Sequence, residues 1–144
     1  MLVSESDKGA FKPISRNASF DVLATQGTFA WLSEIASLIT YLGIPISMKQ
    51  INVLFELIDV EHWAKFEGIP GIHYHNYDKM HGYFYFHHSK GDRITVLSPE
   101  DIDYTAALHA VVFFILGNMD GSQVFERRSV PPPTATKLQM MHWH

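Results

Sequence analysis

The chain has 144 residues, 47% hydrophobic and 18% charged, with a formal net charge of −4. That size and balance suit one ordinary globular domain with a buried core and exclude a disordered polyelectrolyte. Eleven Lys and Arg against fifteen Asp and Glu leave no protein-wide basic field, so any nucleic-acid contact must come from a local patch. Cysteine is absent, which excludes disulfides, thiol catalysis and cysteine-held zinc or iron–sulfur sites within the chain.

Residues 1–18 mix charge with Gly9, Pro13 and Ser15 and show no periodicity, so an N-terminal arm is expected there. The start MLVSESDKGAFKP has no basic region followed by an apolar run, and a cytoplasmic location is the expectation. From Phe20 the pattern reads as helical: Leu23, Ala24, Phe29, Leu32, Ile35, Ala36, Ile39 and Leu42 recur at three- and four-residue spacings. The stretch 28–46 is apolar enough to approach a membrane span, but Glu34, Gly43 and Pro45 favour a buried helix, and no membrane is expected as a partner. Ser47 is an N-cap candidate for a second helix, MKQINVLFELID, with an apolar stripe at Ile51, Leu54, Phe55 and Ile58.

A short helix over 60–67 ends at GIPG (68–71), a strong turn signal. The segment 72–81, IHYHNYDKMH, fits either a short helix or a strand. GYFYFHH (82–88) and RITVLS (93–98) flank the turn SKGD and read as a β-hairpin. Ser98, Pro99 and Asp101 predict a helix start, and PEDIDYTAALHAVVFFILG places acids in the first turn, where the helix dipole favours them. The end, 129–144, opens on Pro131–Pro133 and is expected to be an extended tail. The expected fold is therefore α+β and mainly helical, one globular domain over 19–128 between the arm and the Pro-rich tail.

Five of the nine histidines fall within 70–93: His73, His75, His81, His87 and His88. On a strand, His73 and His75 would share a face and could grip one metal ion, with His81, His87 or Asp78 completing the set. On a helix they would diverge and could not. The plainer reading makes them half-buried members of an aromatic patch with Tyr74, Tyr77, Tyr83, Phe84, Tyr85 and Phe86. No GxSxG or phosphate-loop motif is present, and His109, inside an apolar helix, reads as a core histidine. No cofactor is expected, and an enzyme is the less favoured class.

If 60–81 forms two helices around GIPG, Ala64 and Gly68 meet the small-residue and turn requirements of a helix-turn-helix. His75, Asn76 and Lys79 then face outward, with chemistry suited to base edges and phosphates. Over residues 20 to 117 the chain resembles the MarR-like winged-helix regulators: a long apolar first helix, LGIPISMKQINVLFELID as the second, and DRITVLSPED leading into a last helix. The resemblance implies a winged-helix layout, homodimerisation through terminal helices and double-stranded DNA as partner. His75, Asn76 and Lys79 would lie in the groove, and Lys90 and Arg93 would reach phosphates from a β-hairpin wing. The competing reading is an assembly protein whose arms, 1–18 and 129–144, hold partner subunits, with Trp143 as an aromatic anchor.

Overall fold

The computed structural model describes residues 1–6, 19–52, 59–75, 83–86, 88–121 and 125–130. Its frame is a mixed four-stranded sheet in the order β1-β4-β2-β3, formed by β1 (Val3–Glu5), β2 (Ser19–Leu23), β3 (Ser47–Gln50) and β4 (Gly71–His75). The fold is α+β. β2 and β4 run antiparallel at the centre, Phe20 opposite Tyr74 and Val22 opposite Ile72; β1 joins β4 and β3 joins β2 in parallel.

Strand alternation separates the two faces of the sheet. Phe20, Val22, Ile72 and Tyr74 turn to one side, where α1 (Gln26–Tyr41) and α4 (Pro99–Gly117) cover them. Leu32, Ile35, Ala36 and Ile39 from α1 meet Leu108, Val112 and Leu116 from α4 over these strand residues in one core. Each fully buried side chain here, such as Phe20, Leu32, Ile39 or Leu108, contributes about 1.5–3 kcal/mol relative to exposure. Leu23 faces the other way and packs with Val60, Ala64, Val3 and Ile51 beneath α2 (Glu61–Phe66).

The helix ends follow local chemistry. The Thr25 hydroxyl caps α1 by accepting from Thr28 N at 3.2 Å, and the Ser98 hydroxyl caps α4 by accepting from Asp101 N at 3.1 Å, with Pro99 in the first turn. After α1 the chain turns at Gly43, whose φ of +97° suits glycine, and the Thr40 hydroxyl donates to Ile46 O at 2.9 Å. The GIPG turn is held by a later segment: Arg128 N donates to Gly68 O at 2.8 Å, and the Arg128 guanidinium donates to Ala64 O.

The structure departs from the sequence reading in five places. Ser19–Leu23 is a strand, so the first helix starts at Gln26 rather than near Phe20. Phe20 and Val22 are two apart and both turn to the core, a period that a partner strand makes decisive. Ser47–Gln50 is β3 rather than the start of a second helix, because its backbone pairs with β2; positions 53–58 lie outside the described residues. Gly71–His75 is β4, not the beginning of a recognition helix, since strands on both sides satisfy its backbone groups. Where hairpin strands were expected, Tyr83–Phe86 is a single helical turn, α3, and Ile94–Val96 is a 3-10 turn; positions 82 and 87 lie outside the described residues. Val3–Glu5, expected within the arm, is a sheet strand, while 7–18 and the tail 131–144 lie outside the described residues. The short helix over 61–66 and the long helix from Pro99 agree with expectation.

Candidate functional site

Two arrangements place chemistry-bearing side chains. The first is a row across the sheet face opposite α1 and α4. Glu5 pairs with His73, His73 with Asp21, and Asp21 with Lys49, so one register line crosses all four strands. Directly opposed residues project to the same side, which gives acid, imidazole, acid and amine in sequence. His73 and Asp21 are each only 2% exposed, whereas Lys49 at the β3 edge is exposed. Glu5 is also tied to the start of α2, its Oε2 accepting from Val60 N at 3.3 Å. Polar groups this deep persist only with partners, and the sheet seats these side by side at adjacent positions. With Asp21 and His73 shut off from solvent, this row serves as a polar seam rather than a surface for substrate.

The second arrangement is the exposed turn 88–93. His88 has φ +53°, the one non-glycine residue with positive φ among those described. A side chain in that region costs about 1–2 kcal/mol, and such outliers concentrate at functional sites. The turn is pinned from within: Ser89 N donates to Phe86 O at 2.9 Å, Asp92 N to Ser89 O at 3.1 Å, and Gly91 N to the Ser89 hydroxyl at 3.1 Å. Arg93 Nε donates to Lys90 O at 3.1 Å, which holds the guanidinium against the turn. An imidazole, an ammonium, a carboxylate and a guanidinium thus stand on six consecutive exposed residues. The two cations among them offer donors to an anion.

Of the residues read from sequence as DNA contacts, Lys90 and Arg93 lie together on this turn. His75 ends β4 opposite Ser19, while Asn76 and Lys79 lie outside the described residues. Of the metal alternatives, His73 is buried in the sheet and His75 is two residues along the same strand. His81 lies outside the described residues, and among those described no group of three or more His, Cys, Asp or Glu could hold a metal ion. No helix of the described residues is long and apolar enough to cross a membrane. Sequence reasoning missed Glu5, Asp21 and Lys49. The signal for Asp21 was the alternation in SFDVL, an acid between two apolar residues, which is improbable on a helix face turned to a core.

Residues of this chain align with carboxypeptidase Q over 119 positions, 83% of its length: 33% identical in Pongo abelii, 32% in Homo sapiens and 30% in Mus musculus. The chain spans only 23% of the length of these relatives. No family model matches the chain, and no solved structure matches it.

Proposed function

We propose that the chain works as part of a peptidase of the carboxypeptidase Q kind, releasing the terminal residue of a peptide by hydrolysis. The observation that carries this reading is the alignment of 83% of the chain with carboxypeptidase Q at up to 33% identity. Because the chain spans about a quarter of those relatives, the catalytic apparatus is proposed to include structure beyond it.

Within the chain, the 88–93 turn suits that chemistry best. A carboxypeptidase must recognise a free α-carboxylate, and Arg93 with Lys90 offers charge-assisted donors for one. His88, in its strained conformation beside them, is proposed as the group that moves a proton or binds the reacting group. The test compares a peptide with a free C-terminus against its amidated counterpart, using the protein isolated from its own cells. Release of the terminal residue from the free peptide alone is expected. His88→Ala should abolish turnover, while Arg93→Ala should raise KM. Equal cleavage of both peptides, or none by the isolated protein, would refute the reading.

The DNA-binding proposal rests on the same two cations. Lys90 and Arg93 are exposed together, as a phosphate-contacting pair in a MarR-like regulator would be. It predicts that Lys79→Ala combined with Arg93→Ala loses retention on a duplex column, whereas the peptidase reading leaves retention unchanged.

A further inference from the structure

Where Tyr74 of β4 meets His109 of α4, one polar atom of the strand and two of the helix are buried without a hydrogen-bond partner among the described residues. Tyr74, wholly buried at the centre of the sheet, points its ring at α4, and its hydroxyl has no hydrogen-bond partner. The Tyr74 and His109 rings meet edge to face, with centroids 5.2 Å apart and planes at 81°. His109 Nε2 and the Thr105 hydroxyl are likewise buried without partners. Thr105 and His109 stand one turn apart on α4, and His109 Nδ1 lies 2.8 Å from Thr105 O. A carbonyl only accepts, so Nδ1 carries the proton, and in the neutral ring Nε2 is left as a bare acceptor. Phe20 and Phe113 flank the same imidazole, at 5.8 Å and 5.6 Å between centroids, and supply no polar atom.

An orphaned buried polar group lowers the folded-to-unfolded ratio by roughly 5- to 150-fold. Two hydroxyls able to donate and one ring nitrogen able only to accept, carried by Tyr74, the His109 ring that meets it and Thr105 one turn away, have the complementary chemistry for a single small molecule. We propose that Tyr74 Oη, Thr105 Oγ1 and His109 Nε2 form an internal water site, in which one ordered water accepts from the two hydroxyls and donates to the imidazole. Buried waters make about three hydrogen bonds to such groups, the number of orphaned atoms here. The site joins the centre of the sheet to its long covering helix, and it is independent of the peptidase reading.

The sign of a stability change tests this. Tyr74→Phe and Thr105→Val remove hydroxyls with almost no change of shape. If a water bridges them, each substitution lowers the folded-to-unfolded ratio about 5-fold, judged from the net value of one hydrogen bond. Because they share one molecule, the double variant loses less than the product of the two. If the groups are dry orphans, each variant leaves the ratio unchanged or raises it, and the proposal is overturned. A crystal structure of the unaltered chain gives the second readout. Density for a water between Tyr74 and His109 supports the site, and a dry interface at a resolution that shows other internal waters overturns it.

Discussion

Gly68 is where a single methyl group should do most damage. Its φ is +67°, and a Cβ built there would run into the carbonyl oxygen of Arg128, with Arg128 C at 3.2 Å and Arg128 N at 3.3 Å. The obstacle is backbone, so no rotamer change relieves it. Gly68→Ala therefore meets the left-handed penalty of about 1–2 kcal/mol. It also forces the 125–130 segment away, which breaks the 2.8 Å bond from Arg128 N to Gly68 O, worth about 1 kcal/mol. Moving that segment withdraws the Arg128 guanidinium from Ala64 O, a charge-assisted bond worth about 1.5–3 kcal/mol at full strength and less here because the side chain is partly exposed. The total is about 3–5 kcal/mol. Gly43 is the control, since its φ is +97° but a Cβ there would meet nothing within 4 Å. Gly43→Ala carries only the backbone penalty, about 1–2 kcal/mol. Urea unfolding followed by tryptophan fluorescence measures both. Equal losses for the two alanines would show that the 125–130 segment does not bear on the GIPG turn.

Tyr74 supplies a prediction for pH: burial first, and Tyr104 second, push its phenol well above the ordinary tyrosine range. The folded state then keeps a proton that the unfolded chain releases, so its contribution is complete below pH 10 and is lost as pH rises beyond it. Alkaline titration of stability should show this fall, and Tyr74→Phe should flatten it. Removing either helix cap, by Thr25→Ala or Ser98→Ala, should cost about 1 kcal/mol in denaturant unfolding, with Thr25 the larger because its hydroxyl also donates to Glu126 at 3.3 Å. Leu32→Ala, wholly buried between α1 and the sheet, should cost about 2–5 kcal/mol, whereas Phe114→Ser, 72% exposed on α4, should change monomer stability by less than about 0.5 kcal/mol.

What was legible in advance was local. The Ser98, Pro99, Asp101 start of α4 and its end at Gly117, the GIPG turn and the short helix before it each depend on side chains within a few residues of the backbone they organise. The exposed cations of the 88–93 turn could also be found from sequence, because the turn signal SKGD stands beside them. The burial of His73 could not. In isolation, 72–75 alternates as acceptably for a strand as its neighbours do for a helix, and only β1 and β2 on its flanks decide the matter. Phe20 to Leu23 likewise belonged to the helical pattern until pairing with β4 and β3 claimed it.

Sequence alone thus determined the start and end of α4 and the break at GIPG, since caps, prolines and glycines act on the nearest few peptide groups. Tertiary structure decided which apolar stretches became strands, and with that the line joining Glu5, His73, Asp21 and Lys49. The reason is that a strand's hydrogen bonds are made to residues far away in the chain, so its partners, and the neighbours its side chains acquire, exist only once the sheet has formed.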